Sequence, residues 1–446
     1  MKIPVGTERN NRIWRAVGTS FISKGGTLLV QFIALPIVAR KLGPEMFGVF
    51  AAMSTIPAFF SSADLGIGPA LGHKLALGVV GDDRPLQARY FRAAFAVVVS
   101  VGILIAGLGA GFLLLGKADF IFGRPFAAHQ VQLQQGCWIV LGIVAMQVIV
   151  SIGGKARAGF QEIHLNNIFG ATGNLVTVLL LLIVAWLDPD LILIILVVYG
   201  VGLVAQCSNL IHLLVGRPYL LRSQVSNIWQ DIRRLLTDSI LYAVAIGLIG
   251  WQRELAKLSL GRSVGPVEVG HLAILLSLAS MFGGLVIMVT APVWPAIADA
   301  RARSDALWLD VLWRKLNRLS TVFALLVGVL IGGGGGIAVR YLYGNSYDMP
   351  AQYFWLLGLY FLIFVLGHIR FTWLMGHNRM KQLALIAVLE FASNAACLWG
   401  FHNHLSIEFL LSILVANHFA FSVCLQEALR RRVLNFELPH NPQSDS

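Results

Sequence analysis

The chain has 446 residues, of which 57% are hydrophobic and only 13% are charged. Soluble domains carry about 25% charged residues, so an ordinary soluble enzyme or binding module is excluded. The net charge of +12 raises nucleic acid as a partner, but the cations sit in short connections beside long apolar runs, and no basic, aromatic-interleaved patch stands apart from them.

Twelve apolar stretches follow one another along the chain. Crossing a membrane takes about 20 apolar residues, because the hydrocarbon core is about 30 Å thick and a helix rises about 1.5 Å per residue. The expected spans are 16–39, 47–72, 90–116, 136–153, 166–187, 191–215, 237–260, 268–295, 319–339, 351–375, 383–400 and 405–427. The expected fold is therefore an all-α integral membrane protein with twelve transmembrane helices. The first apolar run is too long for a signal peptide and lacks a small-residue cleavage pattern, so no cleavage is expected.

The cations are sorted by side. Of 34 Lys and Arg, 23 lie in the two tails and the even-numbered connections, and 6 in the odd-numbered ones (Arg40, Lys41, Lys117, Arg124, Arg262 and Arg340). Cytoplasmic loops retain Lys and Arg, so both termini are expected in the cytoplasm. The division that follows is a cytoplasmic N-tail 1–15, a six-helix lobe 16–215, a cytoplasmic amphipathic linker 216–236, a second six-helix lobe 237–427 and a cytoplasmic C-tail 428–446. Ile228, Trp229, Ile232, Leu235 and Leu236, and again Trp308, Val311 and Leu312, recur at helical spacing beside charges. Both segments read as interfacial amphipathic helices. Cys137, Cys207, Cys397 and Cys424 all fall inside apolar spans, where thiols behave as small hydrophobes.

An internal repeat is visible. Residues 40–51 and 262–273 match at five of twelve positions, an Arg, a Gly-Pro pair, a Gly and an Ala, at an offset of 222. Each copy lies between the first and second spans of its half. Six spans per half is an even number, so the two halves enter from the same side and the repeat is parallel, about an axis along the membrane normal. Such proteins hold substrate between two lobes.

Three segments carry a family resemblance: Ala39-Arg40-Lys41-Leu42-Gly43-Pro44-Glu45-Met46-Phe47-Gly48, Ala63-Asp64-Leu65-Gly66-Ile67-Gly68-Pro69-Ala70-Leu71, and Ala291-Pro292-Val293-Trp294-Pro295-Ala296-Ile297-Ala298-Asp299. With the twelve spans and the halved plan, the chain resembles the polysaccharide flippases of the multidrug/oligosaccharidyl-lipid/polysaccharide exporter superfamily. The lipid II flippases are similar but usually have fourteen spans. The drug and toxin extruders share the twelve-span plan but lack the Leu-Gly-Pro-Glu and Asp-Leu-Gly signatures. The resemblance implies a lipid-linked oligosaccharide as substrate, a bacterial inner-membrane location and alternating access. It names membrane lipids as partners, with a polysaccharide polymerase and glycosyltransferases as further candidates.

Ionisable residues inside spans cost about 2.5–3.5 kcal/mol at the centre and are functional candidates by default. Lys24 lies near the midplane of the first span, before Gly25-Gly26. It is either a cavity cation or the partner of an acid such as Asp64. Arg253 and Lys257 are four apart on one helix face. Lys257 is near the outer end and can snorkel, while Glu254 can partly neutralise it. Arg370 lies about five residues from the cytoplasmic end of the tenth span, and Arg92 at a span start. Glu390 and Asn394 align on one face, and the acids Asp64, Glu254 and Glu390 are candidate proton carriers or counter-ions. A pyrophosphate crossing a low-dielectric slab needs fixed cations, and sugars need donors and stacking surfaces. The candidate substrate-binding set is Lys24, Arg253, Arg370, Lys257, Trp251, Gln252 and Tyr242. Gly332 to Gly336 favour close helix packing or bending.

Five in-span bases against three acids favour an anionic substrate over the cations of a cation-coupled drug extruder, which is the competing reading. No Walker or zinc-protease motif occurs, and the outward loops are too short for a catalytic domain, so no enzyme activity, metal or cofactor is expected.

Overall fold

In the computed structural model, which describes residues 30–60, 66–115, 121–187, 189–222 and 227–437, every regular element is a helix. Nine helices among the described residues are long and apolar enough to cross a membrane: Arg84–Leu114, Arg124–Gly159, Ile163–Val184, Leu191–Gly216, Pro266–Ala302, Ala306–Tyr343, Ala351–Gly376, Met380–Gly400 and Ile407–Val433. They coincide with nine of the twelve expected spans. The chain is a multi-pass integral membrane protein, and in a bacterium an α-helical protein of this kind belongs to the inner membrane.

The other three expected spans have different fates. The seventh lies within the Ile228–Ser263 helix of 36 residues, which is about 54 Å long and ample for a crossing. That helix begins in the expected linker and runs through 237 unbroken, because no proline interrupts it. The amphipathic segment at 308–312 is likewise the start of the continuous Ala306–Tyr343 helix. The second expected span is divided among Leu35–Met53, Thr55–Phe60 and Ile67–Val80. Most of the first, with Lys24, and also Asp64, lies outside the described residues.

The backbone repeats at the interval seen in the sequence. Left-handed residues occur at Gly43 and Gly265, at Asp82 and Ser304, at Gly123 and Gly344, and at Gln161 and Asn378. The members of each pair stand 217 to 222 positions apart. Helix starts match as well. Asp83 accepts a hydrogen bond from the Leu86 backbone N–H at 2.8 Å, and Asp305 one from Trp308 N–H at 3.3 Å. A short polar side chain satisfies an orphan donor in both places.

The twelve-residue signature is where the halves touch. A Cβ on Gly48 would lie 1.8 Å from the Pro266 carbonyl oxygen, and one on Gly270 would sit 3.4 Å from the Gly48 Cα. Each copy's Gly-Pro starts a helix, and the glycine five residues later lets that helix lie against its counterpart. The same end is tied by Tyr347 Oη donating to the Ala39 carbonyl at 2.6 Å, by Arg40 to the Tyr341 carbonyl, and by Phe47 edge-on to Tyr347. Gly66, of the Asp-Leu-Gly segment, is the remaining described left-handed residue. A Cβ there would meet the Ser239 carbonyl at 2.6 Å on the Ile228–Ser263 helix, so no other residue fits. The glycine run serves packing: Gly332 and Gly335 lie under the Trp355 and Phe354 rings.

Candidate functional site

Four cavities connect through shared side chains. The first, about 310 Å³, lies between the halves directly below the glycine contact; Phe47, Phe50, Ser54 and Tyr199 line it from one half, and Arg253, Glu254, Lys257 and Ser280 from the other. Arg253 also lines the second, about 380 Å³, with Ile249, Thr290, Trp294, Phe364, His368 and His418. Trp294 in turn lines the third, about 870 Å³, whose wall comes from the first half of the chain. The fourth, about 230 Å³, shares Ser151, Lys155 and Gln206 with the third.

Arg253 is the hinge of this series. Its Nη1 donates to Ser280 Oγ at 2.9 Å, and its guanidinium lies 5.2 Å from the Phe364 ring centre. Its buried Nε has no partner, and among the described residues it forms no ion pair. A half-buried guanidinium that lacks a carboxylate keeps its affinity for an incoming anion. Lys257 behaves differently from the snorkelling expected of it. It is only 8% exposed, and its Nζ lies 2.5 Å from Glu254 Oε2. One turn of helix brings the two together, so the pair neutralises itself inside the inter-half cavity.

The remaining candidates separate. Glu390 is fully buried, with Oε1 at 2.6 Å from His418 Nδ1 and Oε2 accepting from Ser422 Oγ at 2.7 Å. It therefore stands behind the two side chains that face the second cavity. Gln252 belongs to a buried amide chain: Asn394 Nδ2 donates to Gln252 Oε1 at 2.9 Å, Asn417 Nδ2 to Asn394 Oδ1 at 2.9 Å, and Ser393 Oγ to Asn417 Oδ1 at 2.8 Å. Trp251 donates through Nε1 to the Phe59 carbonyl at 2.8 Å and stitches the halves together. Tyr242 packs into an apolar cluster with Leu374 and Met380. Arg370 pairs with Glu427 at 3.1 Å beside Trp313, whose ring also carries Arg430. None of Glu390, Gln252, Trp251, Tyr242 or Arg370 lines these four cavities.

Sequence reasoning missed His368, His418, Ser422 and Trp294 on one side, and Asn166, Asn174 and Gln206 on the other. The signal was present as uncharged polar residues inside apolar spans. Counting formal charges alone passes over them.

Comparison with known proteins gives the fold. An inward-facing multidrug resistance MATE family transporter of the MOP superfamily superposes with a TM-score of 0.73, at 12% identity, over 92% of this chain and 95% of that one. This is the MATE transporter fold. An outward-facing multidrug resistance MATE family transporter of the same superfamily gives a TM-score of 0.63, at 13% identity, over 98% of this chain and 99% of that one. A MOP superfamily transporter from Pyrococcus furiosus, described as having a binding pocket of reverse polarity, gives 0.59 at 14% identity over 98% and 99%. Among curated proteins, a Salmonella typhi protein proposed to be an O-antigen transporter is 22% identical over 408 residues, 88% of this chain and 90% of that one. No family model matches the chain.

Proposed function

We propose that this chain is a flippase that moves an undecaprenyl-pyrophosphate-linked oligosaccharide across the bacterial inner membrane for exopolysaccharide, capsule or O-antigen assembly. The observation that carries this reading is Arg253, half-buried between two cavities and without a carboxylate among the described residues. A multidrug extruder that takes cationic drugs has no use for such a group, whereas a pyrophosphate does. The likeness to the Salmonella typhi protein supports the same reading. Lys24, outside the described residues, is a second proposed cation for the diphosphate; Lys257, one turn from Arg253, is paired with Glu254.

The architecture belongs to the proposal: twelve helices in two six-helix lobes, related by a parallel pseudo-two-fold axis, with both termini in the cytoplasm. The matched left-handed residues and the matched Asp caps support the repeat. The cation-poor end, where Gly48 and Gly270 meet, is then the outer one. Opening and closing of this contact as the lobes rock delivers alternating access. Glu390 with His418 is the proposed coupling or counter-ion group. No catalysis is involved, and a polymerase and glycosyltransferases of the same pathway are the proposed partners.

A second reading, a cation-coupled multidrug extruder, has one observation in its favour. The cavity beside Arg253 is mostly apolar, with Ile246, Ile249, Ile287, Phe371 and Met375 on its walls. Disrupting the gene separates the two: the flippase reading requires loss of surface polysaccharide and accumulation of lipid-linked repeat units in the inner leaflet. Purified protein in liposomes that moves cationic dyes and no pyrophosphate-linked glycan would establish the extruder instead.

A further inference from the structure

The largest of the four cavities is chemically unlike the others. Its wall in the first half of the chain presents the carboxamides of Asn166, Asn174 and Gln206 together with Lys155 and the Phe169 ring, and Trp294 reaches into it from the second half. Its volume of about 870 Å³ is near the upper end of the roughly 300–1,000 Å³ typical of small-molecule sites. Glycines at 68, 72, 154, 170, 173 and 202 leave it open.

Amides in a membrane helix are costly unless hydrogen-bonded. Gln206 is half-buried and makes no hydrogen bond among the described residues. Asn166 is held in a fixed orientation. Arg157, only 1% exposed, donates to Asn209 Oδ1, and Asn209 Nδ2 then donates to Asn166 Oδ1 at 2.8 Å. The Asn166 amide group is left with its two N–H donors. Lys155 Nζ donates to Ser151 Oγ at 2.8 Å. Trp294, at the end of a span, is 37% exposed and lines both this cavity and the one beside Arg253. An indole lining a cavity beside several amides matches one class of ligand. Sugar hydroxyls are donor and acceptor at once, as carboxamides are, and a pyranose has an apolar C–H face that settles on an aromatic ring.

We infer that this wall is the glycan subsite of the transported lipid, with Gln206, Asn166 and Asn174 pairing sugar hydroxyls and Trp294 stacking on a ring. It rests on the flippase reading and assigns a division of labour within it. Arg253 takes the diphosphate in the adjoining cavity, and the first-half wall selects the sugar attached to it. Trp294 stands at the junction, where the first sugar beyond the diphosphate would lie.

The test uses full-length protein in lipid nanodiscs, which avoids maltoside detergents with sugar headgroups. Two probes are compared by native mass spectrometry: lipid-linked oligosaccharide extracted from a strain lacking this gene, and bare undecaprenyl pyrophosphate. The expected result is that Gln206→Leu and Trp294→Ala each weaken oligosaccharide binding by about tenfold and leave bare undecaprenyl pyrophosphate within twofold. Trp294→Phe, which keeps an aromatic face, should retain most of the affinity, and Arg253→Ala should weaken both probes. Wild-type protein that binds neither probe overturns the flippase reading and the subsite together. Wild-type protein that binds both, with Gln206→Leu and Trp294→Ala unaffected, overturns the subsite alone. Equal loss on both probes in these variants also overturns it, because it marks a structural role.

Discussion

Arg157 and Arg253 are both guanidiniums held inside a helical bundle, and the structure treats them in opposite ways. Arg157 is fully surrounded. It donates to Glu162 Oε2 at 2.9 Å, to the Asn209 side chain and carbonyl, and meets His212 Nδ1 at 2.9 Å. Each of its three nitrogens has a partner, and its work is to orient Asn209 and the helix end around it. Arg253 has a single serine hydroxyl and an aromatic face. Burial alone therefore says little about function. What separates a structural cation from a ligand-seeking one is whether a carboxylate has been supplied with it, because an unpaired buried charge does not help stability. The cavity walls follow the same division, amides beside Arg157 and an apolar surface with histidines beside Arg253.

The strongest way to break this picture is to disturb the seal that joins the two walls. Gly48→Leu places a side chain where the Pro266 backbone now lies, so this end, the outer one in the proposed orientation, cannot close. We expect export to be abolished. In a background lacking the four native cysteines, a cysteine replacing Ser277, which lines the inter-half cavity, should become labelled by an impermeant thiol reagent from outside. Normal export by Gly48→Leu would remove the seal from the mechanism.

A smaller effect sharpens the contrast within the second half. Arg253→Ala should slow export by roughly 10- to 100-fold, the range expected for losing a charge-assisted contact of about 1.5–3 kcal/mol, with protein abundance near normal. Glu254→Ala should behave in the other way: it strands Lys257, lowers abundance, and is rescued when Lys257→Met is added. Equal abundance losses for Arg253→Ala and Glu254→Ala would mean that the two cations are alike after all.

The smallest effect concerns the first half. Glu162, between two spans, accepts from Arg217 Nη2 at 2.5 Å and from Arg157 Nη1 at 2.9 Å. Burial pushes its carboxyl upward, but the Arg217 and Arg157 pairs outweigh this and hold it below the usual carboxylate range. A depressed folded-state value stabilises the protein above the unfolded value of about 4.3, and that stability is lost as pH falls through the lower folded value. Glu162→Gln should lower Tm at pH 7 by about 2 °C. Wild type and variant should converge as pH drops below about 4. A gap that persists unchanged well below that pH, past the lowered folded value, would exclude the ion pair as its source.

Much of the architecture was legible in the sequence. The spans from 90–116 to 405–427 rest on runs of apolar residues, and nothing but a membrane accommodates so many of them. The offset of 222 at Gly43-Pro44 and Gly265-Pro266 reappears as paired left-handed residues and as the inter-half contact. Backbone strain and helix starts depend on Gly, Pro and Asp at fixed places, so they are written locally. Arg253 was legible too, because a lone charge in an apolar helix stands out. What the sequence could not give is who meets whom. Lys257 with Glu254 follows from one helix, yet Arg370 with Glu427, Arg157 with Asn209, and Glu390 with His418 join different helices. Whether a polar side chain inside the bundle is committed or available depends on those pairings. They are fixed only when helices distant in sequence pack side by side, and that is why the amide wall and Trp294 emerge from the tertiary structure alone.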